Sequence, residues 1–311
     1  MEKTLRAAYG EALAKYGGDE RMVVLDADVS GSTLTGMFGK AYPQRFFNVG
    51  IAEANMTAMA AGFAAQGKIP FVNCFSVFLS SVGLLAARTY GSYSGLNMKL
   101  AGAYGGLSDS FDGPTHHSVE DLAVMRALPG FEVIVPCDPV QVDWAVRYAL
   151  QKKGPLYLRL SRDAMHPVYG KAADFEPGKG KIVREGADAT VIACGMMVGE
   201  ALLAAQELEQ EGIRLRVVDL FFVKPVDNAL ILRCAEETGA IVTAEEHSVI
   251  GGLGGAVSET LSAAGIGVPH EFAGLSDTHA ECGPYAALMR KYGIDAAAVA
   301  GAVRRAVRRK R

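Results

Sequence analysis

Apolar and polar positions alternate along this chain with two different periods. Over 4–16, Leu5, Ala8, Tyr9, Ala12, Leu13 and Tyr16 recur at helical spacing and share one face. A short apolar run, MVVLDAD at 22–28, then reads as a buried strand with acids at its end. The same exchange continues downstream. The spacing predicts a small-residue helix over 51–67 stopped by Gly67, a strand over 69–75, a helix over 80–93 and a strand over 98–104. Strands over 131–136 and 156–161 follow, with a helix over 140–151 between them. Residues 161–188 lose the periodicity and gather Pro167, Gly170, Pro177, Gly178 and Gly180, which reads as a linker. A second alternation then begins: strands over 189–195, 214–220, 240–246 and 268–272, with helices over 197–211, 227–238 and 253–264. Strands alternating with helices predict parallel sheets covered on both faces. The expected fold is therefore α/β, with two doubly wound domains. Their expected bounds are 1–165, a linker over 166–186, and a smaller domain over 187–311.

Composition narrows the function classes. Of 311 residues, half are hydrophobic, enough for two packed cores. A net charge of −3 gives no basic field for nucleic acid. The one basic run, Arg304 to Arg311, reads as the last turn of a terminal helix, where the dipole favours cations. No apolar core of a signal peptide opens the chain, and no 18-residue apolar run is present, so a soluble cytoplasmic protein without a membrane partner is expected. The five cysteines, Cys74, Cys137, Cys194, Cys234 and Cys282, show no metal spacing and read as buried thiols in a reducing compartment.

Ligands in open α/β sheets sit beyond the carboxyl ends of the strands. The polar groups expected there are Asp26, Asp28 and Ser32, the stretch from Asn48 to Glu53, Phe75 to Phe78, Tyr104 to His116, and Arg162. Glu53 opens a helix. The helix dipole explains an acid there, and so does a part-buried carboxyl that shares a proton with a ligand nitrogen. Phe75 and Phe78 read as core or as a platform beneath a flat heterocycle. FDGPTHHS at 111–118 is a turn that lifts Asp112 and His116 out of an apolar chain. Arg162 reads as an ion pair or as a phosphate clamp. GGLGG at 251–255 opens a helix after a strand and reads as an anion cradle, but lacks the spacing of a dinucleotide or P-loop motif, and His247 before it reads as structural or as a domain contact. A "GDG…N" arrangement for a divalent cation and a diphosphate is missing.

Taken in order, RAAYGEALAK (6–15), LDADVSGST (25–33), FFNVGIAEANM (46–56), FDGPTHHSVEDLAVMRALPG (111–130) and LRLSRDAM (158–165) resemble the carboxyl-terminal half of transketolase across essentially the whole chain. The resemblance implies a pyrimidine-binding domain followed by a transketolase C-terminal domain, in a split enzyme whose diphosphate-binding domain lies on another polypeptide. It implies that Glu53 hydrogen-bonds the aminopyrimidine of thiamine diphosphate, that Phe75 and Phe78 pack on that ring, and that Ile51 lies beside the cofactor. It further implies that Asp112 and His116 read the donor sugar's hydroxyls, with His116 assisting proton transfer and His117 secondary. Arg6, Ser32 and Arg162 match the groups that hold a sugar phosphate. Tyr104 stands where the family usually has a histidine near the acceptor phosphate, and a tyrosine there implies altered acceptor recognition.

The activity implied is transfer of a two-carbon ketol unit from a ketose phosphate to an aldose phosphate, in an α2β2 assembly. Mg2+ or Ca2+ would be held by the partner. The alternatives are a deoxyxylulose-phosphate synthase relative, a 2-oxo acid dehydrogenase β subunit, or a non-catalytic stabilising chain. Retention of Arg6, Ser32, Asp112 and Arg162 together favours sugar phosphates.

Overall fold

The computed structural model describes residues 3–163, 166–170 and 173–310. The end of the stretch 158–165, Ala164 and Met165, lies outside the described residues, as do Met1, Glu2, Lys171, Ala172 and Arg311.

The first sheet is built from β1 (Met22–Asp26), β2 (Phe46–Asn48), β3 (Ile69–Phe75), β4 (Lys99–Ala103), β5 (Glu132–Ile134) and β6 (Leu156–Arg159). The second contains β7 (Lys181–Arg184), β8 (Ala189–Ala193), β9 (Leu215–Asp219), β11 (Ile241–Ser248) and β12 (His270–Leu275). Between β9 and β11 the chain makes β10 (Phe222–Lys224), which returns to the first sheet. The strand orders are β10-β5-β6-β4-β3-β1-β2 and β12-β11-β8-β9-β7. All pairings are parallel except at two edges, where β10 meets β5 and β7 meets β9 antiparallel. The α/β expectation therefore holds, with two mostly parallel sheets covered by helices.

Central strands β1, β3, β4, β6, β8 and β9 are buried at every position, as a sheet covered on both faces requires. The helices carry local start and stop signals. Thr4, Asp138, Asp227 and Asp295 each accept a backbone N–H at the start of a helix, and the helix Glu53–Ala65 is followed by Gly67 at φ +80°.

Three expectations change. The helix expected over 80–93 is broken into Ser76–Ser80, Leu84–Ala86 and a π-helical turn over Ala87–Tyr93. Gly83 packs so closely on Thr57 and the Leu79 backbone that a Cβ would strike both, which fixes the break. The linker expected over 166–186 contains β7, an edge strand of the second sheet. Four cysteines are buried, but Cys282 is exposed. The basic tail is paired within the chain: Arg304 contacts Glu207 and Glu211, and Arg305 and Arg309 contact Glu271. Among the described residues no helix is long and apolar enough to cross a membrane.

Candidate active site

Strand ends of the first sheet bring most of the expected residues together. Asp26, wholly buried at the end of β1, organises the segment after it. Its carboxylate accepts from Thr33 Oγ1 at 3.0 Å, Thr35 Oγ1 at 2.7 Å and the Val29 N–H at 2.7 Å. Burial pushes this carboxyl up, and the three donors pull against it. The result is a fixed turn carrying Ser32, whose carbonyl accepts from Arg6 Nη1 at 3.2 Å. Arg6 Nη1 also donates to the Tyr104 hydroxyl at 2.9 Å, while Arg6 Nε is buried without a partner. The structure thus places Ser32 beside Arg6 through its backbone.

Tyr104 follows β4 in a left-handed conformation, φ +60°, which is rare for a residue with a Cβ. That conformation lays its ring flat on Phe75, 4.6 Å between centroids and 14° between planes. Phe75 in turn lies 6.1 Å from Phe78, and the edge of His116 meets Phe78 at 5.3 Å and 81°. The guanidinium of Arg162 sits over the other end, 5.2 Å from the Tyr104 centroid. A continuous row of contacts therefore runs from Arg6 and Arg162, across the buried rings of Tyr104 and Phe75, to the half-buried Phe78 and His116. His116 Nδ1 is 3.0 Å from Thr115 Oγ1.

Glu53 opens the helix Glu53–Ala65 and is 8 % exposed. Burial and the neighbouring Glu53 carboxyl push the Cys74 thiol well up, so it stays protonated and faces Glu53 Oε1 at 3.5 Å. No cation pairs with Glu53 among the described residues. A buried carboxyl with only a weak thiol donor retains capacity for an N–H from a ligand. Ile51, two residues before it, is 82 % exposed. Asp112 is exposed on the turn, four residues before His116, and lies against Asp109, whose carboxyl is pushed up by burial and then by Asp112.

His117, next to the exposed face, is buried with neither ring nitrogen partnered, and burial lowers its pKa. The glycine run at 251–255 is no anion cradle for a ligand, because Glu245 already takes the N–H groups of Leu253 and Gly254 at 2.6 and 2.8 Å. His247 is a domain contact, facing the Ala123 N–H at 3.4 Å. Among the described residues no group of three His, Cys, Asp or Glu side chains is placed to hold a metal ion.

Two residues matter that the sequence did not single out. Asp109 is buried and pairs with Arg162 Nη1 at 3.1 Å. Arg159 is buried and binds Asp121 Oδ2, the Ser118 carbonyl and the Glu246 carbonyl, each at 2.9 Å. The signal for Arg159 was a charge closing an otherwise apolar strand, LYLRL.

Two sequence-family models match the chain: the transketolase pyrimidine-binding domain over residues 1–167 and the transketolase C-terminal domain over 178–299. The chain belongs to the transketolase family. A 6-deoxy-6-sulfo-D-fructose transketolase subunit, SqwH, from Clostridium sp. is 40 % identical over 310 residues, covering 99 % of this chain and 96 % of that protein. An apulose-4-phosphate transketolase subunit from Phocaeicola vulgatus is 38 % identical over 279 residues, 89 % of this chain and 88 % of that one. A solved structure described as a split gene transketolase, inactive beta4 tetramer, superposes with a TM-score of 0.92 at 45 % identity, covering 99 % of both chains. This transketolase chain thus corresponds to the pyrimidine-binding and C-terminal domains of the family, and its family uses thiamine diphosphate.

Proposed function

We propose that the chain is the pyrimidine-domain subunit of a two-chain, thiamine diphosphate-dependent transketolase that moves a two-carbon ketol unit between anionic sugars. The observation that carries this reading is the row of contacts from the arginine pair through three aromatic rings to His116, with the buried Glu53 carboxyl held on Cys74, the strand residue before Phe75. When bound, thiamine diphosphate supplies the carbon nucleophile that takes up the ketol unit. Glu53 would hold the aminopyrimidine through its carboxyl, whose one side-chain donor is the weak Cys74 thiol. Phe78 and Phe75 offer the apolar wall for that ring, with Ile51 beside it. His116 and Asp112 serve the donor's hydroxyls and carbonyl, where His116 moves a proton. Arg6 and Arg162 clamp the substrate's terminal anion, with Ser32 and Tyr104 alongside.

Other features support a second chain. Diphosphate and Mg2+ or Ca2+ need ligands, and none is grouped for a metal among the described residues. The helix Glu53–Ala65 exposes Ala54, Ala58 and Gly62, and Ile51, Val82, Leu85, Tyr90 and Tyr93 are also exposed nearby in sequence. Such an apolar surface fits a protein interface better than water. The relatives are named as subunits, and the 45 %-identical neighbour is an inactive tetramer of one chain type, which supports activity only in an α2β2 enzyme with a diphosphate-domain subunit. The four buried thiols fit a reducing cytoplasm.

Relatives with sulfofructose and apulose-phosphate names point to different sugars. Both names carry an anionic group, which suits two guanidinium donors. The test is ketol transfer by this chain alone, by a diphosphate-domain transketolase subunit alone, and by both together, over phosphorylated, sulfonated and neutral ketoses. Turnover of an anionic ketose only by the pair supports the reading. Pyruvate decarboxylation without ketose turnover would move the chain to the other thiamine enzymes.

A further inference from the structure

Asp109 is a buried charge with no part in the chemistry assigned to the site. It is fully buried in the loop after β4, and its Oδ1 accepts from Arg162 Nη1 at 3.1 Å. Its Oδ2 is buried with no donor, and the Asp112 carboxyl lies within hydrogen-bonding reach of the same group. The Arg162 main chain is held as well, its N–H donating to Ser108 Oγ at 3.2 Å. The Arg162 side chain is 36 % exposed and lies over Tyr104, the ring that Arg6 also holds. One arginine therefore joins a buried acid to the anion-facing end of the site. The other charged groups here are Asp112 and His117 on the same loop, Asp163 beside Arg162, Arg6 on the first helix, and His279 from the second unit near His117.

We propose that Asp109 is a positioning residue that holds the Arg162 guanidinium before substrate binds and takes up a proton when a terminal anion draws that guanidinium onto itself. This rests on the assignment of Arg6 and Arg162 as the anion clamp. The physical argument is charge balance. An ionised carboxylate 3.1 Å from Arg162 competes with the substrate for the same N–H groups and repels the incoming anion. Burial, then the neighbouring Asp112, already push the Asp109 carboxyl up to about 7, so the added anion tips it to the neutral form near neutral pH. The proton comes from solvent and rests on the Asp109 carboxyl; no bond of the substrate changes. By linkage, anion binding then weakens as pH rises above 7.

Inorganic sulfate is the probe, because its own charge is constant over this range. Its inhibition constant against an anionic ketose is measured on the assembled two-chain enzyme from pH 6 to 9, for wild type and Asp109→Asn. Wild type should lose roughly fivefold in sulfate affinity between pH 7 and 9, the size of a coupling of about one pKa unit on a carboxyl that titrates near 7. Asp109→Asn should be nearly flat and should bind sulfate more tightly than wild type at pH 9. Parallel pH profiles, or a variant that binds more weakly at every pH, would overturn the proposal and leave Asp109 a plain brace. Calorimetry of sulfate binding to wild type in two buffers of different ionisation enthalpy needs no variant. It should report proton uptake near pH 7.5, and zero uptake overturns the proposal. An active enzyme on which sulfate does not compete with ketose refutes the anion clamp itself, a separate failure.

Discussion

Removing the guanidinium of Arg159 should both loosen the two domains and displace the catalytic loop. Arg159 closes β6 and donates to Asp121 Oδ2, to the Ser118 carbonyl of the first domain and to the Glu246 carbonyl of the second, each at 2.9 Å. Tyr157 donates to the same Asp121 oxygen at 2.7 Å. Asp121 is fully buried, and its Oδ1 is already without a partner. Arg159→Met fills similar volume but leaves a buried carboxylate uncompensated and takes one donor from each of two carbonyls, of which Ser118 keeps the Gly106 N–H at 2.9 Å. Breaking one partner of such a buried pair costs about 3–5 kcal/mol. For 311 residues, at about 2.1 cal/mol/K of unfolding entropy per residue, that is a fall of roughly 5–8 °C in Tm. The loop carrying Asp112 and His116 ends at Ser118, which keeps its bridge to Gly106 but loses the guanidinium that ties it to Asp121 and Glu246. A displacement near 1 Å in a catalytic loop costs about 100-fold in rate. Thermal unfolding of the chain and kcat/KM of the assembled enzyme measure both effects. The double variant Arg159→Met/Asp121→Leu should be less destabilised than the sum of the two single changes, because it removes both charges. A loss under about 1 kcal/mol for Arg159→Met, or simple additivity in the double variant, refutes the reasoning.

Two further outcomes follow from buried groups. Asp219 accepts from Gln141 Nε2 at 2.5 Å and Tyr169 at 2.6 Å, and burial pushes its carboxyl up to about 6. The folded chain thus holds this proton more tightly than the unfolded one, where the carboxyl titrates near 4. Its contribution is complete below about pH 4 and is lost as pH rises to about 6, on the order of 2–3 kcal/mol. Urea unfolding at pH 4.5 and 7 should show this decline, and Asp219→Asn should shrink it; an unchanged slope in the variant contradicts the assignment. Gly113 sits at φ +80° with a would-be Cβ against Cys282 Sγ. Gly113→Ala should lower kcat/KM at least tenfold by shifting the turn, and Cys282→Ala should restore part of it by opening space; equal activity of the single and double variants sinks the idea.

Much of this arrangement was legible because it rests on local signals. Caps at Thr4, Asp138, Asp227 and Asp295, and the fully apolar run at Ile69–Phe75, mark elements that form where the periodicity puts them. The strand-end rule likewise gathered Arg6's partners, the aromatic pair and His116 before any geometry was known. What escaped depends on distant partners. β10 is a three-residue run whose place beside β5, with Lys224 Nζ donating to the Arg126 carbonyl at 2.8 Å, is decided by the other domain. β7 hides among polar residues because an edge strand needs no continuous apolar face. Asp109 falls within the stretch Tyr104 to His116 expected at the strand ends, but nothing local marks it out, and only the fold buries it against Arg162.

The central claim is that this chain supplies the pyrimidine half of a shared cofactor site. Calorimetric titration of thiamine diphosphate with Mg2+ tests it most directly, on this chain, on a diphosphate-domain partner, and on the two combined. The account predicts saturable binding with ketol-transfer activity only for the combination, and loss of that activity with Glu53→Gln. Cofactor binding and turnover by this chain alone, or an equally active Glu53→Gln complex, would contradict it.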